Sequence, residues 1–111
     1  MINIEKNDNI VVITFSVNNI NALISDEIRD RILTIINNQN TKIIIDLKGI
    51  DYIDSSGFGC FLSLMRASKS NYGILKFANP EPRVMQLFET LRLDTVFQIF
   101  DDIDVCRRSF K

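Results

Sequence analysis

The chain has 111 residues, 46% hydrophobic and 24% charged, with 13 basic side chains against 14 acidic ones. That is the make-up of one small globular domain, expected to span residues 1–111 and to bury about two-thirds of the surface its unfolded form exposes. A formal net charge of −1 leaves no basic surplus to neutralise phosphates, so no direct nucleic-acid contact is expected. Histidine is absent, which excludes Ser-His-Asp and Cys-His catalysis and every metal site that needs imidazole. Cys60 and Cys106 lie far apart without CxxC spacing and read as two buried free thiols. The start Met1-Ile2-Asn3-Ile4-Glu5-Lys6 has no charged-then-apolar signal pattern, and no apolar run approaches the ~20 residues that cross a bilayer. A cytoplasmic chain without membrane insertion is expected, and nothing in the composition calls for a cofactor.

Ile2 to Lys6 alternates like a half-buried strand, Asn7-Asp8-Asn9 is a turn, and the β-branched run Ile10–Phe15 is a strand covered on both faces, so the two form an antiparallel hairpin. Apolar residues at 24, 28, 32, 35 and 36 predict a first helix, with Asp26 and Glu27 suited to its positive end. Ile43-Ile44-Ile45 reads as a central strand that leads into Asp46. Phe58, Phe61, Leu62 and Met65 give the stripe of a second helix, and Ile74–Ala78 a further strand. Asn79-Pro80-Glu81-Pro82 opens a third helix through Val84, Leu87, Phe88 and Leu91. Val96–Phe100 is a last strand, and Asp101 can cap a final helix facing inward through Ile103, Cys106 and Phe110. The order ββαβαβαβα predicts an α/β fold: a mixed, mostly parallel sheet with an antiparallel N-terminal hairpin, flanked by helices. In such sheets sites gather where strands end and helices begin, which here means residues 46 to 59.

That segment ends in Asp54-Ser55-Ser56-Gly57-Phe58-Gly59, with hydroxyls and two glycines at a helix start. Unpartnered N–H groups and the macrodipole favour an anion there by about 0.3–1 kcal/mol, so a phosphate on Ser56 would meet donors. Each glycine costs a helix about 0.5–1 kcal/mol against alanine, which points to close approach of another surface. The plain structural alternative is that Asp54 or Ser55 caps the helix while the glycines let it pack on the sheet. Gly57-Phe58-Gly59-Cys60-Phe61-Leu62 fails as a dinucleotide fingerprint because Leu62 stands where the third glycine belongs. There is no phosphate loop, and Ser56 lacks nucleophile-elbow surroundings and a histidine. The spacing of Asp46, Asp51 and Asp54 matches no calcium loop.

Asp46-Leu47, Ile50 and then Ile53-Asp54-Ser55-Ser56-Gly57-Phe58-Gly59 resemble the signature D-L-x-x-(V/L)-x-x-(I/M)-D-S-S-G-L-G of STAS domains of the anti-sigma factor antagonist type. The likeness extends to Gly73–Asn79, Pro82–Val84 and Leu93–Phe97, nearly the whole chain. The resemblance implies a non-enzymatic switch. By that likeness the serine before the glycine, Ser56, is expected to be phosphorylated by an anti-sigma factor serine kinase and dephosphorylated by a PPM-type serine phosphatase. The unmodified form binds the kinase and frees the sigma factor, and the phosphorylated form lets go. Partner binding carried over from the family falls on Asn21, Asp54, Ser55, Ser56, Gly57, Phe58 and Gly59. The departure lies in residues 16–22, where the family commonly has an aspartate and this chain has Asn21. The other reading is a non-switching STAS subunit of a transport or sensory assembly that docks through the same helix end. A small-anion or nucleotide-using enzyme has little room without histidine or a phosphate loop.

Overall fold

A computed structural model describes residues 1–110. The hairpin forms as the pattern predicts. Strand β1 (Ile2–Asn7) pairs antiparallel with β2 (Ile10–Phe15) through a two-residue turn at Asp8 and Asn9, both at positive φ. Residues flanking such a turn follow the twist of the strands they join. Strand β1 is more exposed than its alternation suggests, because it is an edge strand: Ile2 alone is buried, and Ile4 faces solvent.

Between β2 and helix α1 (Ala22–Ile36) the sequence reading missed a short strand, β3 (Asn19–Ile20). It pairs in parallel with β5 (Tyr52–Ile53), a second strand hidden in the segment after β4 (Lys42–Asp46). Two-residue strands carry no periodicity, so the pattern could not reveal them. Helix α2 (Ser55–Ser70), strand β6 (Ile74–Ala78) and helix α3 (Pro82–Thr90) follow. The expected strand over 96–100 shrinks to β7 (Ile99–Phe100), because a 3-10 turn at Leu93–Thr95 occupies the approach and Val96 is exposed. Helix α4 (Ile103–Arg108) is capped by Asp102, not Asp101: the Asp102 carboxylate accepts from the Val105 amide at 2.8 Å. Asp26 and Glu27 sit in the second turn of α1, since the helix starts at Ala22, so the acidic residues do not occupy its first turn.

The main sheet runs β1-β2-β4-β6-β7, antiparallel only at the first pair, with β4 in the centre. Ile43, Ile44 and Ile45 are fully buried, as a strand covered on both faces requires. One face packs on α1, α2 and α3 around Phe58, Phe61, Phe77, Phe88 and Phe97, whose rings meet edge-on or tilted at 4.9 to 5.8 Å between centroids. Such pairs add about 0.5–1.5 kcal/mol each beyond buried area. The other face carries a smaller cluster of Ile10, Val12, Ile44, Ala78 and Cys106, covered by Phe100, Ile103 and Phe110. The buried stripe of α2 runs through Gly57, Cys60, Phe61, Leu64 and Ser68, leaving Leu62 and Met65 at its margin. Among the described residues no helix is long and apolar enough to cross a membrane.

Candidate functional site

The small β3–β5 sheet holds the starts of two helices side by side. Each strand runs directly into a cap: Ile20 precedes Asn21 and α1, and Ile53 precedes Asp54 and α2. Ile20 pairs with Ile53, both buried, and the Asp54 amide donates to the Ile20 carbonyl at 3.1 Å. The two caps are therefore neighbours in register. The Asn21 side chain accepts from the Leu23 amide at 3.0 Å, and the Asp54 carboxylate accepts from the Gly57 amide at 3.0 Å. Asp54 thus does what the plain capping alternative asks of it, and an N-cap of this kind is worth about 0.5–2 kcal/mol.

The two glycines of α2 have different reasons. A Cβ on Gly57 would stand 2.7 Å from Cγ2 of Ile53, 2.9 Å from Cγ2 of Ile20 and 3.0 Å from the Ile20 carbonyl oxygen. Its absence is what lets α2 sit against the β3–β5 pair. A Cβ on Gly59 would meet nothing within 4 Å, and the residue is exposed. Packing explains Gly57 and leaves Gly59 without a structural reason.

The sequence-predicted site residues separate by depth. Ser55 and Gly59 are exposed, and Asn21, Asp54 and Ser56 are half-buried at one rim. Gly57 is buried, and Phe58, only 4% exposed, drives its ring edge-on into Phe88 at 5.1 Å. Phe58 is a core residue that fixes α2, so its side chain does not reach a partner. Sequence reasoning missed two surface residues. Leu23 follows the Asn21 cap and is 90% exposed, and Tyr52 in β5 is 45% exposed. Leu23 falls outside the 3.6-residue stripe that starts at Ile24, and an apolar residue off the stripe was the available signal.

Around this rim the ionisable groups are tied into the backbone. Asp46 at the end of β4 accepts from the Lys48 amide at 3.0 Å and from the Asn79 side-chain amide at 3.1 Å. Asn79, first of the tetrad expected to open α3, is spent on this contact, and the first turn of α3 starts at Pro82 without a side-chain cap. Glu81 instead accepts from the Gly49 amide at 2.8 Å, pinning the loop between β4 and β5. One turn beyond Ser56, burial pushes the Cys60 thiol up to about 11, and burial does the same to Cys106. Both are free, buried and protonated at neutral pH, without nucleophilic character.

A fold of this order, with a serine-bearing helix start packed on a paired-strand platform, defines a class. The family model described as "STAS domain" matches residues 1–106, and the chain belongs to that family. A curated relative, the anti-sigma-B factor antagonist of Bacillus subtilis (strain 168), is 33% identical over 61 residues, 55% of this chain and 56% of the relative. The match thus spans about half of the relative's length. Among solved structures, an anti-sigma factor antagonist from Mycobacterium paratuberculosis superposes with TM-score 0.86 at 16% identity, covering 98% of this chain and 92% of that one. The anti-sigma factor antagonist SpoIIAA in its unphosphorylated form gives TM-score 0.82 at 23% identity, over 99% and 96%. The fold also recurs in the murine anion transporter Slc26a9, with TM-score 0.72 at 12% identity over 90% of this chain and 17% of that one.

Proposed function

We propose that the chain acts as an anti-sigma factor antagonist in the cytoplasm, working by binding and not by catalysis. An anti-sigma factor serine kinase transfers a phosphoryl group to the Ser56 hydroxyl, and a PPM-type phosphatase removes it. In the unmodified state Asn21, Asp54, Ser55, Ser56 and Gly59 face the kinase, with Leu23 and Tyr52 as apolar contacts beside them, while Gly57 and Phe58 hold the helix start in place. The observation that carries this reading is the position of Ser56. It lies half-exposed in the first turn of α2, on a frame fixed from below by Gly57 and Phe58. A phosphate there adds about −1.5 to −2 charges at a helix end that accommodates anions, so the fold survives the modification. A docked partner does not, because a like-charge or buried-charge mismatch at an interface costs several kcal/mol, about a hundredfold or more in affinity.

The test is a comparative pull-down from native lysate with ATP, using wild type and Ser56→Asp as baits. A kinase retained by wild type and lost with Ser56→Asp, with one phosphoryl group on the Ser56 peptide, is the expected result. Equal capture of that partner by both baits overturns the switch. The likeness to the transporter fold favours a second reading, a constitutive docking subunit. Its mark is the same non-kinase partner on both baits with Ser56 unmodified.

A further inference from the structure

At the opposite end of β4 from the Ser56 rim, a cleft of about 400 Å³ opens between the hairpin turn, the first residue of β4 and the end of α4. Lys42, Arg107 and Arg108 line it together with Asp8, Asp104 and Phe110. Among the described residues the ion pairs within 4.0 Å involve Arg29 alone, so the three cations stand in the cleft without a carboxylate bound to any of them. They come from two elements that the chain brings together only by folding, since Lys42 starts the central strand and the arginines end the last helix.

The wall that carries the arginines is anchored from beneath. Lys76 is 6% exposed, and its ammonium donates to the Ser109 carbonyl at 3.1 Å and to the Ser109 hydroxyl at 2.8 Å. It also lies 4.6 Å from the Phe110 ring centroid and 5.5 Å from that of Phe100. A buried cation satisfied by neutral dipoles and ring faces fixes the last turn of α4, and with it Arg107, Arg108 and Phe110.

We propose that this cleft binds a small organic phosphate that also carries an amine. Two guanidinium forks and an ammonium are the donor set that phosphate takes. Asp8 and Asp104 on the same lining repel a bare dianion and accept from a ligand ammonium. Among the described residues, three cations against two carboxylates leave the cleft one positive charge, which a phosphate dianion joined to an ammonium neutralises. This site is independent of the switch at Ser56.

Calorimetric titration of the full chain with phosphoethanolamine and with inorganic phosphate tests it. Wild type is expected to bind phosphoethanolamine about tenfold more tightly than inorganic phosphate. Lys42→Gln with Arg107→Gln weakens phosphoethanolamine by about tenfold or more, and Asp8→Asn with Asp104→Asn erases the preference. Ser56→Asp binds as wild type. Lys42→Gln alone, at a half-exposed rim position, serves if the double variant loses its circular-dichroism signal. Binding to vesicles that contain phosphatidylethanolamine, whose phosphodiester is a monoanion, with none to free phosphoethanolamine, overturns the dianion charge match. Absence of binding to either form by wild type, or binding unchanged by loss of Lys42 and Arg107, overturns the proposal.

Discussion

The first turn of α2 and the body of the same helix are built on opposite terms. From Phe58 inward, the helix is committed to packing: Phe58, Cys60, Phe61 and Leu64 are all under 5% exposed, and the rings of Phe58 and Phe61 meet those of Phe88 in α3 and Phe77 in β6. At its outer margin, Ser55 and Gly59 face solvent and Ser56 stands half-exposed two residues past the Asp54 cap. One helix thus supplies both a rigid frame and the margin on which the proposed switch rests. Modification at the margin need not be felt in the core, and substitutions should divide into those that unfold the protein and those that only change what it binds.

The largest effect belongs to the frame. Phe88 is fully buried and touches the rings of Phe58, Phe77 and Phe97, so Phe88→Ala removes three aromatic contacts and leaves a cavity. A cost of about 3–5 kcal/mol is expected, read as a fall in the urea midpoint. A loss below 1 kcal/mol would mean that the face collapses around the gap, and the division between frame and margin would blur. Gly57→Ala tests where the frame ends. The added Cβ meets β-branched side chains and a backbone oxygen at 3.0 Å or less, so the β3–β5 pair has to move. A cost of about 1–3 kcal/mol is expected from such overpacking, with weaker partner capture because both caps move with it.

Alkaline pH probes the same interior without a mutation. Cys60 and Cys106 are raised from 9.0 to about 11 by burial, so the folded state keeps protons that the unfolded chain gives up. Stability is therefore whole below pH 9 and declines between pH 9 and 11, by about 2 kcal/mol for each thiol. Chemical denaturation at pH 8 and 10.5, with Cys60→Ala and Cys106→Ala as controls that flatten the decline, measures it. Asp54→Ala comes next: it removes the carboxylate that caps α2 and costs about 0.5–2 kcal/mol by thermal melt.

How far this division could be read from the residues depends on the length of each signal. The helices extend over enough positions for period 3.6 to show, and Ile43-Ile44-Ile45 and Ile10–Phe15 show as unbroken apolar runs; the structure has them where they were expected. The motif from Asp46 to Gly59 marked the family to which the chain belongs. The β3–β5 pair did not show, because two residues have no period and their pairing is a long-range contact between residues 19–20 and 52–53. That pair is also what brings Asn21 beside Asp54, so the shape of the rim stayed out of reach although each cap was named. Side-chain depth was legible only in part: the stripe put Phe58 on the apolar face of α2, but its edge-on contact with Phe88 of α3 had no signal in the sequence.

Gly59→Ala is the smallest change and the sharpest test of that surface. Position 59 lies within a regular helix, is exposed, and has open space where a Cβ would go. Alanine there limits the unfolded chain and improves helix propensity, so the variant should be more stable by about 0.5–1 kcal/mol, a rise of a few degrees in Tm. A residue that gives up stability with no packing reason is explained if another surface comes close to its backbone. The same variant should then hold its partner less tightly than wild type while melting later. Higher Tm with unchanged capture would remove Gly59 from the docking face and confine that face to Asn21, Leu23, Tyr52 and the two serines.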